Sequence, residues 1–165
     1  MNHLQKIQQK IITWDQASTI AAKAKTSGKK MVFSNGCFDI MHHGHVEYLS
    51  KAADFGNLLM IGLNSDNSVR RLKGENRPLN RQNSRALLLA AMQFVDYVVL
   101  FDEDTPYELI KAVQPDVLVK GKDYKAADIV GYDIVTGQGG EVKTIDLVKG
   151  FSTSGIIEKI KKESS

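Results

Sequence analysis

Apolar and polar positions along the chain switch between two periods, and the switches mark out alternating helices and strands. Leu4, Ile7 and Ile11, then Trp14, Ala17, Ile20, Ala21 and Ala24, recur at helical spacing and predict an opening helical segment that stops at Gly28. Met31 to Ser34 follows as a short apolar strand, His43 to Phe55 as a helix closed by Gly56, and Leu58 to Leu63 as a strand with no polar alternation. Such a run belongs inside a parallel sheet. Ser65 or Asp66 can cap a short helix through Leu72, and the charged run Lys73-Gly74-Glu75-Asn76-Arg77-Pro78 reads as a loop of the kind that closes over a substrate. Asn80 opens a helix over Ser84 to Phe94, and Tyr97 to Phe101 is a third strand. Thr105-Pro106-Tyr107-Glu108 has the form of a capping box and starts a helix to about Val113. Val117 to Val119 is a fourth strand, a helix lies within Ala127 to Thr136, and Val142 to Ile145 is a fifth strand after a glycine-rich turn. Ser152-Thr153-Ser154 caps a last helix bearing Ile156, Ile157 and Ile160.

This alternation predicts the α/β class, with a Rossmann-like parallel five-stranded sheet and helices on both faces. At 165 residues the chain holds one well-buried core. Hydrophobic residues at 42% and charged residues at 25% exclude a disordered or fibrous chain. The formal charge of +3 comes partly from Lys-rich stretches such as Lys29-Lys30 and Lys159 to Lys162, which read as solvated surface, so nucleic acid is not an expected partner. The single cysteine, Cys37, makes no internal disulfide and suits a reducing cytoplasm. No run resembles a signal peptide or reaches the length of a bilayer span, so no membrane association is expected.

Right-handed crossovers bring the carboxyl ends of parallel strands to one edge, and ligands bind there, where the strand order reverses. Four segments with chemical potential fall at such ends or at a helix start: Phe33 to Gly36, Leu63 to Asp66, Val119 to Asp123 and Gly150 to Thr153. The densest is Gly36-Cys37-Phe38-Asp39-Ile40-Met41-His42-His43-Gly44-His45. His42 and His45 are three apart and share one face of a helical turn, whose free N–H groups and positive dipole end face incoming anions. Gly44 between them lets a ligand approach the backbone. The combination points to nucleotidyl transfer, in which an anionic nucleophile attacks the α-phosphorus of a nucleoside triphosphate and pyrophosphate leaves.

A phosphate monoester nucleophile is already ionised and needs no base, so catalysis reduces to alignment and neutralising charge on the five-coordinate phosphorus. His42 and His45 can donate to the triphosphate, the backbone N–H groups of Cys37 and Phe38 can hold a phosphate, and Lys73 or Arg77 can reach in from the loop. Ser152 and Thr153 offer hydroxyls and free N–H groups to a second anion. Mg²⁺ would ride on the phosphates with Asp39 within reach. Plainer readings compete: Lys73 and Arg77 as solvated loop charges, Ser152-Thr153 and Asp66 as helix caps, Asp123 as a turn residue. Cys37 reads as a small residue at a tight turn, with no base placed to make its thiolate, and zinc lacks a second Cys or a distant His group.

The stretch Gly36 to His45, together with Ser152-Thr153-Ser154-Gly155-Ile156-Ile157, resembles the HxGH nucleotidyltransferase superfamily and its late S-T-x-x-I element. Within it, Asn35 to Asp39, Asn64-Ser65-Asp66, Arg71-Leu72-Lys73-Gly74, Arg77-Pro78, Glu103 to Pro106, Pro115 to Gly121 and Gly139 to Val142 are similar to the D-glycero-β-D-manno-heptose 1-phosphate adenylyltransferases. That resemblance covers roughly residues 30 to 162. It implies ATP and a sugar 1-phosphate as substrates, Mg²⁺ carried by the ATP phosphates, and a place in building the heptose part of lipopolysaccharide or a related surface glycan. It implies that His42 and His45 contact the triphosphate, that Gly36, Cys37, Phe38 and Gly121 line the nucleotide pocket, and that Ser152 and Thr153 bind near its phosphates; the reading of the residues adds Lys73 to catalysis and Gly44 and Asp123 to the nucleotide. Asp39, Asn64, Asp66 and Arg77 then fall to the sugar phosphate.

Residues 29–165 are expected to form the nucleotidyltransferase domain and residues 1–28 an N-terminal helical extension. In bifunctional relatives a sugar-kinase domain comes first, and the residues before Met31 are too few for one, so a separate heptose kinase is expected upstream. The opening helix, without an obvious place in the core, is expected to pack across a partner in a homodimer. The nearest alternative is a glycerol 3-phosphate cytidylyltransferase, which would carry Arg-Thr-Glu-Gly-Ile-Ser-Thr where this chain has Leu147-Val148-Lys149-Gly150-Phe151-Ser152-Thr153. Lys122-Asp123-Tyr124 likewise departs from the Asp-Asp-Trp of that group. A non-catalytic nucleotide-sensing module is an alternative of another class, and intact His42 and His45 argue against it.

Overall fold

The computed structural model describes residues 1–164. Two capping boxes start the chain's first helices: Asn2 with Gln5 opens α1 (His3–Gln8), and Thr13 with Gln16 opens α2 (Trp14–Thr26). Between them Ile11–Ile12 is a short strand, β1. The remaining elements are β2 (Met31–Gly36), α3 (His43–Ala53), β3 (Leu58–Asn64), α4 (Asp66–Lys73), α5 (Gln82–Ala90), β4 (Tyr97–Phe101), α6 (Tyr107–Val113), β5 (Val117–Gly121), a single 3₁₀ turn at Ala126–Asp128, α7 (Tyr132–Gly137), β6 (Glu141–Ile145) and α8 (Thr153–Glu163).

The strands make one parallel sheet in the order β1-β4-β3-β2-β5-β6. The sheet therefore has six strands and not the expected five. The additional strand is β1, where Ile11 and Ile12 pair with Val98 and Val99 and the Val98 N–H donates to the Lys10 carbonyl at 2.8 Å. Ile11 lies four residues after Ile7, so helical spacing hides a two-residue edge strand inside what the pattern predicts as one helical segment. The second half of that segment belongs to the core: Ala17, Ala21 and Ala24 of α2 are buried, and the Trp14 indole N–H donates to the Leu100 carbonyl at 2.8 Å. The helix expected within 127–136 is divided into the 3₁₀ turn and α7.

Strand alternation sorts the interior into two layers. Val32, Leu59, Ile61 and Leu63 face Tyr48, Leu49 and Ala52 of α3 and Ala86, Leu89 and Ala90 of α5. Met31, Phe33 and Met60 face α2, Leu109, Ile110 and Val113 of α6, and Val135 of α7. Each such side chain contributes on the order of 1.5–3 kcal/mol when fully buried, which fixes the strand register.

The strand order reverses at β2, with β3 and β4 on one side and β5 and β6 on the other. β2 pairs with β3 along its whole length, from Met31↔Leu58 to Gly36↔Leu63, but with β5 only at Val32↔Val117 and Phe33↔Leu118. Past that point the carboxyl ends of β2 and β5 are unpaired with each other, which opens a crevice at the sheet edge. Among the described residues, no helix is long and apolar enough to cross a membrane.

Candidate active site

The crevice between β2 and β5 leads into two adjoining cavities. The first, about 320 Å³, is lined by the end of β2, the start of α3, Gly121, Asp123, Tyr124 and the segment Leu147 to Thr153. The second, about 530 Å³, lies on the other side of the turn after β2 and is lined by Asp39, Asn64, Lys73, Arg77 and Asp104 among others. Asn35 to Phe38, His45, Lys120, Tyr124, Ser152 and Thr153 belong to both walls.

The turn after β2 is held in an uncommon shape. Phe38 sits in the left-handed region at φ 46°, and a Cβ on Gly36 would come within 2.9 Å of the Phe38 ring, so only glycine leaves that ring its place. His42, in extended conformation, is the N-cap of α3. The His42 and His45 rings stack with centroids 3.8 Å apart and planes at 23°. The His42 backbone N–H donates to His45 Nδ1 at 3.3 Å, which leaves the His45 Nε2 position to carry the proton of the neutral ring. Phe38 meets His45 edge-on at 5.3 Å. At Gly44 the sequence suggests room for a ligand, and the structure gives a further reason: a Cβ there would press on the His42 ring at 3.1 Å.

Both imidazoles are kept neutral. Burial, and then the neighbouring His42, hold the His45 pKa down to about 4, while burial and then His43 lower that of His42. A neutral imidazole donates one hydrogen bond without a desolvated charge. Among the described residues, buried side-chain polar atoms without a partner are Asn35 Oδ1 and His42 Nδ1, and both residues line the first cavity. The amino termini of α3 and α8 also meet there, joined by the Thr153 hydroxyl donating to the Ile40 carbonyl at 3.2 Å. The Ser152 hydroxyl accepts from the Gly155 N–H at 2.9 Å and fixes the first turn of α8. Two positive dipole ends and their free N–H groups at one cavity wall suit a polyanion.

The sequence-selected residues separate by place. His42, His45, Gly36, Cys37, Phe38, Gly44, Gly121, Asp123, Ser152 and Thr153 line the first cavity; Asp39, Asn64, Lys73 and Arg77 line the second. Asp66 lines neither: its carboxylate accepts from Arg85 at 2.9 Å and from the Gln82 N–H at 2.8 Å. Asp39 lines the second cavity but is 2% exposed, and its carboxylate accepts from Arg77 Nε at 2.6 Å and from the N–H groups of Leu79 and Asn80 at 2.9 and 2.8 Å. Burial opposes ionisation there, yet the Asn80 and Leu79 N–H groups and the Arg77 guanidinium together hold the Asp39 carboxyl below the usual range. Burial pushes the Cys37 thiol up in spite of the surrounding cations, so it stays protonated. His43 is exposed and pairs with Glu47 at 3.3 Å.

Three residues that matter to this geometry escape a local sequence reading. Tyr48 is buried, shares a hydrogen bond of 2.8 Å with Ser34 and donates to the Val119 carbonyl at 3.0 Å, tying α3 to both β2 and β5; burial pushes its pKa up to about 12. Arg85 is fully buried and Lys120 lies at the end of β5. Each of the two cations interrupts an apolar pattern, the signal that could have singled it out.

The cytidylyltransferase-like family model matches residues 33–158, which contain the whole of this constellation. The chain belongs to the cytidylyltransferase-like family. It is 54% identical over 159 residues to the bifunctional protein HldE of Wolinella succinogenes, covering 96% of this chain and 33% of that protein. To the bifunctional protein HldE of Campylobacter concisus it is 61% identical over 133 residues, 81% of this chain and 27% of the other. The chain thus spans about a third of the length of these curated relatives. Among solved structures it superimposes with a TM-score of 0.62 and 27% identity on the lipopolysaccharide core biosynthesis protein of Thermoplasma volcanium, covering 75% of this chain and all of that one.

Proposed function

We propose that this chain transfers AMP from ATP to a sugar 1-phosphate, D-glycero-β-D-manno-heptose 1-phosphate in the first instance, giving ADP-heptose and pyrophosphate for lipopolysaccharide or surface-glycan synthesis in the cytoplasm. The observation that carries the proposal is the stacked, neutral imidazole pair, with His42 on the wall of the first cavity and His45 on the wall common to both, where one cavity can take a nucleotide and the other a charged co-substrate. The high identity to HldE proteins supports the choice of sugar and nucleotide.

In this mechanism an oxygen of the sugar phosphate attacks the α-phosphorus in line, the bond to the β-phosphate oxygen breaks, and the electron pair leaves with pyrophosphate. No proton needs to move, so the residues orient and neutralise. His45 Nε2–H and His42 donate to the triphosphate, and the N–H groups at the starts of α3 and α8 hold its oxygens. Lys73 and Arg77 offer positive charge to the sugar phosphate from the second cavity. Mg²⁺ fits as an ion carried on the ATP phosphates and not as one caged by protein: the Asp39 carboxylate is committed to Arg77, Leu79 and Asn80. Bound there, it would neutralise charge on the phosphates.

Incubating the protein with ATP, Mg²⁺ and the heptose 1-phosphate should release pyrophosphate in step with ADP-heptose. Pyrophosphate from CTP and glycerol 3-phosphate alone would replace this proposal with the cytidylyl one. Tight ATP binding without release for any sugar or polyol phosphate would make the chain a nucleotide sensor.

A further inference from the structure

Adenylyl transfer brings two anionic phosphoryl groups together, so the place where the two cavities adjoin needs positive charge. Among the described residues, one lysine or arginine lines both cavities, and it is Lys120. Lys73 and Arg77 reach only the second.

β5 runs Val117-Leu118-Val119 through the core and then presents Lys120 just past the last residue registered with β2. Its Nζ reaches across the gap and donates to the Asn35 carbonyl at 3.2 Å. The face of the Tyr124 ring lies 5.8 Å from the same nitrogen. An ammonium has three N–H donors, and the carbonyl takes one. Among the described residues no carboxylate stands within ion-pair distance of it, although Asp123 is near enough to favour its charged form. Lys122, two residues on, is by contrast paired with Asp146 at 3.0 Å. Burial lowers the Lys120 pKa, the mark of a cation taken from water without full compensation. A protein seldom keeps such a cation at a cavity junction for packing alone.

We propose that Lys120 is a catalytic residue whose ammonium bridges the α-phosphate of the nucleotide and the incoming sugar phosphate while the bond between them forms. The inference rests on the function proposed above and adds a residue to it. The new bond joins a sugar-phosphate oxygen to the α-phosphorus as the bond to the pyrophosphate oxygen breaks. Lys120 gives up no proton in the step. Its charge is matched most fully when both phosphoryl groups are within reach, so it stabilises the transition state more than either substrate complex.

The test compares Lys120→Met, Lys120→Gln and Lys120→Arg with the parent protein, after thermal melting has shown which variants fold. With saturating ATP and sugar phosphate, Lys120→Met should lower kcat by about 100-fold or more, and Lys120→Arg should recover at least about tenfold of that loss. Calorimetry with AMP and with adenosine isolates the phosphate contact. AMP affinity should fall about tenfold in Lys120→Met while adenosine affinity holds within about twofold. Should Lys120→Met not fold, Lys120→Gln carries the same readouts. A kcat within about threefold of the parent, or equal changes in AMP and adenosine affinity, would overturn the assignment. Absence of pyrophosphate release from the parent protein would sink the proposed turnover alone, and the AMP–adenosine comparison would still decide whether Lys120 holds a phosphate.

Discussion

The two flanks of β2 use a buried cation in opposite ways. On the β3 flank, where the strands stay paired to their ends, Arg85 has no exposed surface and donates to the carbonyls of Cys37, Asn64 and Asn80 at 2.6, 2.8 and 2.9 Å and to the Asp66 carboxylate at 2.9 Å. On the β5 flank, where pairing stops after Phe33↔Leu118, Lys120 makes one such bond, to Asn35. A planar guanidinium with five donors can satisfy several carbonyls at once, whereas an ammonium is a compact charge that can turn toward a guest. One cation therefore ties its flank together, while the other keeps donors free for a guest.

The strongest challenge to this contrast is to remove the closing cation. Arg85→Met should cost about 3–5 kcal/mol of stability, because it leaves three carbonyls without their buried donor and breaks the ion pair with the partly exposed Asp66 carboxylate. Denaturant unfolding of the purified protein measures it. A loss below about 1 kcal/mol would mean that the β3 flank is held by its strand pairing and not by Arg85.

Substitution on the open flank should reverse the pattern, with turnover lost and stability kept. His42→Ala or His45→Ala should lower kcat at least about 100-fold, the effect of removing one charge-stabilising donor. Both side chains are only partly buried, so the thermal midpoint should move by a few degrees at most. Steady-state pyrophosphate release beside a melting curve gives both numbers. An unfolded His45→Ala protein would show that the stacked pair holds the turn together, and would erase the distinction between the flanks.

What the sequence discloses of these flanks follows from how local each signal is. The passage from β2 through the glycine turn into α3 is legible because an uninterrupted apolar run, Gly36 and two histidines at helical spacing all lie within 15 residues or so of one another. The fold class is legible for the same reason, since each element carries its own period. β1 is not, because two isoleucines cannot establish a period, and Ile11 continues the helical spacing of Ile7. The Thr13-x-x-Gln16 capping box is the local clue that a new helix starts there. Asp39 is named in the sequence for its place in the turn, but its bonds run to residues 77–80, and no local pattern encodes a contact across 40 positions. Arg85 shares a helix face with buried Leu89, and a lone charge on an apolar stripe signals a buried network without saying which carbonyls it serves.

Acid separates the flanks most finely. His45 has an ordinary pKa of 6.5 that folding depresses to about 4, so between those values the unfolded chain binds a proton that the folded chain does not. Stability must then fall as pH drops through that window, and His42, lowered in the same direction, adds to the loss. Asp39 behaves differently, because its carboxyl is held below its ordinary 3.8: its contribution is intact above that value and disappears only as pH falls through the lower folded one. Allowing for solvent screening of a partly exposed ring, the histidine pair should cost about 1–2 kcal/mol between pH 7 and about 4.5. Denaturant midpoints at the two pH values, in the parent and in His45→Gln, measure this. The variant should lose most of the slope in that window and keep the steeper fall below it, which belongs to Asp39 and its partners. An unchanged slope in His45→Gln would place the acid-sensitive groups away from the paired imidazoles and leave the open flank without its distinguishing electrostatics.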